Sequence, residues 1–449
     1  MRRTPFQPWR WMGMSLLLAL VLCWVPRAQS APQATREVLP NGMIFLHLEQ
    51  RGLPLVTVSL TLPAGTLAET AEQAGLAYLT AALLAEGTAR RRGETLAQAI
   101  AALGGQIGFD ADRDTATGQA TILRSDLKTG LQLLAEMVLQ PTFPQDELAR
   151  KRNETIGQIK RSLQDPATQV QVTLRQALYG NHPYGRRVIG RVETLQALSR
   201  EDLIRFHRDY YKPEGAIVVV VGDVAQDEAK TLLLNAFAGW TGVPQPFPAL
   251  PEVKAPDKLE VIKLDRDVAQ AHLLFGHLGI RRDHPDYYAI RIMNYILGGG
   301  GFESRLLSRI REEQGLAYGA SSTFSSGLVG GIFRAGVSTK NTTANQARDL
   351  LFETMHDLRQ QPVSEQELAD AKAFMIGSFP LNLTSNRELA AILTSVERFD
   401  LRLDYLERFP DLIRAVTPQD VQRVARQYVH PDRGVLVVLA DMAAANLSN

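Results

Sequence analysis

An α+β chain built from two copies of one unit is what this sequence of 449 residues predicts. Three observations carry the expectation. Short runs that alternate apolar and polar residues, the period of a strand, interleave with longer runs at the helical period. Residues 199–224, SREDLIRFHRDYYKPEGAIVVVVGDV, parallel residues 417–442, TPQDVQRVARQYVHPDRGVLVVLADM, with Pro213 and Pro431 at an offset of 218, and Glu147-Leu148-Ala149 returns as Glu367-Leu368-Ala369 at 220. Between the copies, Pro244, Pro246, Pro248, Pro251 and Pro256 crowd into residues 243–257, the composition of a semi-rigid connector. The expected division is 31–242, a linker at 243–257, and 258–449, each unit being about 200 residues.

Residues 1–30 have the layout of a secretory signal. Arg2, Arg3 and Arg10 precede an apolar run from about Met14 to Val25, and Ala28-Gln29-Ser30 offers small residues before a cut after Ser30. The run is shorter than the ~20 residues of a spanning helix, which favours cleavage over an uncleaved anchor. Cys23 follows Leu22 where lipid attachment needs a small residue. Cleavage removes four arginines and no acid, taking the formal charge from +1 to −3, so nothing invites nucleic acid. It also removes the only cysteine, which leaves no disulfide or thiolate chemistry. The expected destination is a bacterial periplasm, with no membrane attachment after cleavage.

From residue 37 onward, Val38-Leu39-Pro40-Asn41-Gly42 predicts a tight hairpin leading into a strand at 43–48. Residues 55–62 alternate Val56, Val58, Leu60 and Leu62 with Thr57, Ser59 and Thr61, the pattern of a half-buried strand. Residues 75–88, GLAYLTAALLAEGT, are rich in helix formers and free of proline, which predicts a buried helix with positions 78, 81 and 82 on one face. A short helix at 96–103 ends at Gly104-Gly105, and 115–123 forms a strand. Leu127, Leu131, Leu134 and Val138 recur at helical spacing, Phe143-Pro144 opens a long charged helix, and Asp165-Pro166 caps the next one up to Tyr179. His182 in HPYG is either a ligand or contact, or the favoured alternative, a histidine hydrogen-bonded within a turn. Residues 216–221 form an apolar strand.

The frame of residues 75–88 resembles the insulinase (pitrilysin) family of zinc peptidases, whose signature is close to GLAHFLEHMLFKGT and contains an HxxEH motif. The two histidines of that motif fall on Tyr78 and Ala82, and its glutamate on Ala81. The family's third ligand lies in a helix reading roughly RExxVxxEIKR, matched here by residues 150–161, RKRNETIGQIKR, with Gln158 in the ligand's place. A phenol, two methyls and a neutral amide do not make a zinc site, and no carboxylate remains to activate water. No metal ligand and no catalytic residue are therefore expected in this chain alone. The resemblance implies two duplicated domains, each a mixed, mainly antiparallel sheet covered by helices, facing each other across a cleft.

In the second half, residues 298–325, GGGGFESRLLSRIREEQGLAYGASSTFS, predict a helix at 302–313 and a strand from 316. The glycine run lacks the Gly-Lys-Ser/Thr of a phosphate loop, and close backbone packing is the better reading. Arg311 and Tyr318 match the family's LRExxGLAY segment, in which an arginine and a tyrosine position substrate. A guanidinium fork and a phenol suit a peptide carbonyl that gains charge during attack. Taken alone, Arg311 is an ordinary cation near a helix end and Tyr318 an ordinary strand aromatic. His272 and His277 fall on opposite faces of a predicted strand and, with His284, suit core or surface roles rather than metal.

Some family members pair an HxxEH chain with a substrate-handling chain that lacks the motif. The resemblance thus implies a substrate-positioning subunit of a heterodimeric zinc metallopeptidase, with zinc in an HxxEH-bearing partner and Arg311 and Tyr318 as the substrate-binding residues for peptides or unfolded polypeptides. The alternative is a catalytically inert scaffold or peptide-holding protein of the same fold.

Overall fold

In the computed structural model, which describes residues 34–447, the Asn-Gly turn forms as the dipeptide demands. Gly42 takes φ +88°, Asn41 Oδ1 accepts from the Met43 N–H at 3.3 Å, and β1 (Thr35–Val38) pairs antiparallel with β2 (Ile44–Glu49). The expected signal at 1–30 lies outside the described residues. β3 (Leu55–Leu62) is followed by helix α1 (Leu76–Leu83), α2 (Gly93–Ala102), the hairpin β4 (Gln106–Ala111) and β5 (Ala116–Leu123), then α3 (Leu127–Leu139) and α4 (Gln145–Ser162). Asp165 caps α5 (Pro166–Tyr179), accepting from the Thr168 N–H at 2.8 Å. After α5 come α6 (Val192–Ala197), α7 (Arg200–Tyr210), β6 (Ile217–Gly222) and α8 (Gln226–Ala236).

The proline-rich stretch carries no helix or strand and is tied back to α7, where the Gln245 N–H donates to Asp209 O at 2.9 Å. The second half then runs β7 (Leu259–Asp265), β8 (Gln270–Leu278), α9 (Tyr287–Asn294), β9 (Ala317–Phe324), β10 (Ile332–Lys340), α10 (Ala344–Gln360), α11 (Glu365–Ser378), α12 (Asn386–Arg398), α13 (Tyr405–Arg414), α14 (Pro418–Tyr428) and β11 (Gly434–Ala440). Among the described residues, no helix is long and apolar enough to cross a membrane.

The halves repeat one topology. A six-stranded sheet is ordered β1-β2-β6-β3-β5-β4 and a five-stranded sheet β7-β11-β8-β10-β9, each mainly antiparallel with one parallel pair, β2 with β6 and β7 with β11. β9 therefore stands in the second sheet where β4 stands in the first, at an edge that no other strand pairs with among the described residues.

Each sheet packs one face on its own helices and the other on a helix from the opposite half. Val170, Leu174 and Leu178 of α5 pack with Ile332, Val435, Val437 and Leu439 of the second sheet, while Leu389, Ala390 and Leu393 of α12 pack with Leu46, Leu48, Val219 and Val221 of the first. α5 and α12 begin 220 positions apart, so the exchange is between equivalent helices. It explains a departure from the sequence expectation. β3 is buried on both faces, Thr57, Ser59 and Thr61 included, because α12 covers the face that alternation assigned to solvent, and Asn386 Nδ2 donates to Leu55 O at 3.1 Å. Charged groups at the rim join the halves as well. Arg36 makes two 2.8 Å bonds to Glu397, and Arg398 pairs with Asp114 at 2.8 Å.

Candidate functional site

The helix that would carry metal ligands, α1, is held by its N-terminus. Glu69, 2% exposed, sits beneath its first turn, where Oε1 accepts from the Ala77 N–H at 2.6 Å and Oε2 from the Gly75 N–H at 3.3 Å. These amides are unpaired within the helix, and a carboxyl placed there answers them. Burial pushes the Glu69 carboxyl up from 4.5 to about 8, against the pull of the N–H groups and the Arg186 guanidinium. Thr194 Oγ1 adds a 2.7 Å bond to Ala74 O just before the helix. Nothing in the local sequence singled out Glu69; a lone glutamate six residues before Gly75 has no short-range signature.

Along α1, Tyr78 and Ala82 are half-buried, Ala81 is buried, and Gln158 is exposed on α4, which packs against α1. The donor set does not fit zinc. Two of the four side chains have no lone pair, and the other two are a neutral phenol and a neutral amide. Acids around the helix are engaged elsewhere, Glu86 with Arg150 at 2.9 Å and Glu136 with Thr88 and Arg91. Among the described residues, no three His, Cys, Asp or Glu side chains converge.

Next to α1, a groove of about 890 Å³ runs along edge strand β4, between α2 and the sheet, lined by Ile100, Phe109, Thr117, Gln119 and, from the opposite half, Arg387. No strand pairs with the outer edge of β4 among the described residues, so its backbone is available for strand addition. This strand was absent from the sequence reading, although Ile107, Phe109 and Ala111 alternate with polar positions or Gly108 and carried the signal.

Arg311 and Tyr318 lie on the corresponding margin of the second sheet. The helix expected at 302–313 is broken into a 3₁₀ turn at Gly301–Glu303, one α-turn at Arg305–Leu307 and a π-turn at Ser308–Glu313; another π-turn, Tyr295–Gly299, precedes the glycine run. Gly298 explains part of the irregularity. A Cβ there would lie 2.4 Å from the Ser322 N, so only glycine lets this backbone lie against β9, which bears out the close-packing reading of the run. The widened turn brings Arg311 to the end of the segment, its guanidinium 4.8 Å from the Phe302 ring centroid. The Leu316 N–H donates to Ile310 O at 2.9 Å, locking the turn to the start of β9. Tyr318 then stands 88% exposed on that free edge strand.

The histidines occupy structural positions. His182, 1% exposed, accepts the Tyr184 N–H at Nδ1 over 3.1 Å within its 3₁₀ turn. His277 is stacked on Phe333, bonded at Nδ1 to Leu278 O over 2.8 Å, and pulled down to about 3 by burial. His272 bonds Ser338 Oγ at 2.9 Å, and His284 accepts the Asp286 N–H at 3.1 Å.

Residues 47–191 match the family described as Insulinase (Peptidase family M16), and residues 197–375 match the Peptidase M16 inactive domain. The chain is 26% identical over 404 residues to the uncharacterized zinc protease YmxG of Bacillus subtilis, covering 90% of this chain and 97% of that one. It is 27% identical over 371 residues to the non-peptidase homolog YmxG of Helicobacter pylori, covering 81% and 84%, and 25% identical over 438 residues to the mitochondrial-processing peptidase subunit beta of Mus musculus, covering 92% and 86%. Among solved structures, the peptidase M16 inactive domain from Pseudomonas fluorescens matches with a TM-score of 0.85 at 29% identity, over 90% of this chain and 98% of that one.

Proposed function

The chain belongs to the insulinase (M16) peptidase family, with the fold of its inactive homologues, and from that premise we propose that it is the substrate-positioning subunit of a heterodimeric zinc peptidase of the periplasm. In this reading an HxxEH-bearing homologue supplies zinc and the general base. This chain closes the chamber and presents Arg311 and Tyr318 to a peptide or unfolded polypeptide held extended on the partner's edge strand. One observation carries it: Tyr318 is 88% exposed on a free strand edge in a chain whose metal face has no usable donors. An exposed tyrosine with no packing role at that place fits contact with something outside the chain. A relative named as the beta subunit of a processing peptidase supports a two-chain assembly.

The test is affinity purification from the native periplasm with mass spectrometry and zinc analysis. Recovery of a similar-sized HxxEH homologue with about one zinc per pair is the expected result. In that complex Tyr318→Phe lowers kcat by roughly 100-fold, the scale of one lost oxyanion donor, and leaves zinc content unchanged. Unaltered turnover in both Tyr318→Phe and Arg311→Ala removes the positioning role. A chain recovered alone and zinc-free favours the inert scaffold or peptide-holding protein.

A further inference from the structure

Where the β4–β5 loop, α5, the turn after His182 and β10 meet, five arginines line one cavity of about 210 Å³: Arg113, Arg175, Arg186, Arg187 and Arg334. No acidic side chain stands in its wall, and among the described residues none of the five forms an ion pair within 4.0 Å. Half-buried arginines elsewhere are answered by other groups, Arg305 by Glu367 at 2.7 Å, Arg398 by Asp114 at 2.8 Å, Arg200 by the Phe143 and Thr142 carbonyls at 2.9 and 2.8 Å, and Arg282 by the face of the Tyr287 ring. Glu69 and Glu72 act on Arg186, and the two acids that flank Arg113 in sequence are already used. Asp114 accepts from Tyr184 and Arg398, and Asp112 Oδ1 accepts the Asp114 and Thr115 N–H groups, each at 2.7 Å.

Arg186 is committed to backbone, donating to Thr70 O at 2.8 Å and Glu69 O at 3.2 Å. The remaining four are under-satisfied. Arg175 reaches only Tyr184 O, at 3.3 Å, and Arg187 reaches Ser162 Oγ at 2.8 Å, while Arg113 Nε and Arg187 Nη1 are buried without a partner. Burial, then the Arg113 charge, pulls Arg175 down to about 10, and the same two causes lower Arg334. The Arg113, Arg175 and Arg334 charges oppose one another in a partly desolvated cavity, Arg187 adds a further desolvated guanidinium, and the cost is offset when an anion supplies opposite charge and acceptor oxygens. A single carboxylate neutralises one of four charges; an oxyanion with two or more charges and at least three oxygens matches both the charge and the forks.

We propose that this cavity binds a compact, multiply charged oxyanion of the phosphate class, gripped by Arg113, Arg175 and Arg187 from the first half and Arg334 from the second. Bound there, the anion ties the halves together across the base of α5. The site is separate from Arg311 and Tyr318, and its existence does not depend on the peptidase reading.

Thermal unfolding of the mature chain in pyrophosphate, orthophosphate or acetate at matched ionic strength tests the proposal. The expected result is a Tm rise of about 3 °C in pyrophosphate at ~100 times its Kd, a smaller or equal rise in orthophosphate, and none in acetate. A preference for pyrophosphate points to a diphosphate end as in a nucleotide, and equal response to a single phosphoryl group; both support the site. Arg334→Met and Arg175→Met abolish the rise, and Arg433→Met, away from the cavity, keeps it. An equal rise in acetate, or one that survives in both cavity variants, overturns the proposal. Should either variant fail to fold, calorimetric titration of pyrophosphate into the unaltered protein decides, and absence of saturable binding there overturns the proposal.

Discussion

At Glu69 burial outweighs the pull of the Ala77, Gly75 and Leu76 N–H groups and of the Arg186 charge, and that imbalance has a measurable sign. The folded carboxyl titrates at about 8 and the unfolded one near 4.5, so between these values the folded chain holds a proton that the unfolded chain has lost. Its contribution to stability is fully present below about pH 4.5 and is lost as pH rises to about 8, at most by about 1.4 kcal/mol per pH unit. Chemical denaturation across that range should show this fall in the parent and lack it in Glu69→Gln. Glu69→Ala should be about 2 kcal/mol less stable than Glu69→Gln at pH 5, because the amide oxygen of Gln can still accept from one of the two N–H groups and Ala from neither. Equal slopes in parent and Glu69→Gln would show that the carboxyl is ionised throughout. Arg311 and Tyr318 belong to the same scale, and there the sequence was informative. Their residue types and separation were legible, whereas exposure of one and stacking of the other on Phe302 depended on turns the helical pattern did not disclose.

Among elements, α1 and α4 pack together with no metal donors at positions 78, 82 and 158. Restoring them tests whether the scaffold is still competent. Tyr78→His, Ala82→His and Gln158→Glu together should bind about one equivalent of zinc, measured by metal analysis after dialysis, and the parent should bind none. Failure of the triple variant to take up zinc would mean that α1 and α4 have drifted from ligand geometry. Ala81 is the harder position, since it is buried and a glutamate there would overpack the contact with the sheet. α12 gives a second prediction. Leu393 is fully buried against the first sheet although it belongs to the second half, and Leu393→Ala should cost about 2–5 kcal/mol in denaturant unfolding, as for a core leucine. A loss below about 0.5 kcal/mol would mean that α12 is loosely docked. Alternation in 55–62 located β3 to the residue but mis-assigned its polar face, since a strand's period shows how neighbouring side chains diverge and not what later covers them.

For the whole molecule, exchange of α5 and α12 makes the halves mutually dependent. Expressed alone, residues 34–242 would expose Leu46, Leu48, Val219 and Val221, and residues 258–449 would expose Val435, Val437 and Leu439. A contiguous apolar face of that kind drives aggregation. Each piece alone should be insoluble, and co-expression should yield a soluble 1:1 complex by size-exclusion chromatography. Two stable, monomeric pieces would show that the exchanged helices contribute little. Because the cavity lined by Arg113, Arg175 and Arg334 lies at the same junction, anion binding and association of the pieces should strengthen each other.

By itself the sequence determined the class of fold, the repeat at offsets 218 and 220, most strands and helices, and the loss of metal donors at Tyr78, Ala81, Ala82 and Gln158. All of these are local or pairwise properties, written in period, spacing and residue type. Only the tertiary structure decided that the repeated helices change places, that Glu69 holds α1 by its end, that the chain at 295–313 contains two π-turns, and that five arginines from four separate stretches of the chain line one cavity. Each depends on which surfaces meet after the chain has folded back on itself, and burial, desolvation and charge repulsion take their values only there.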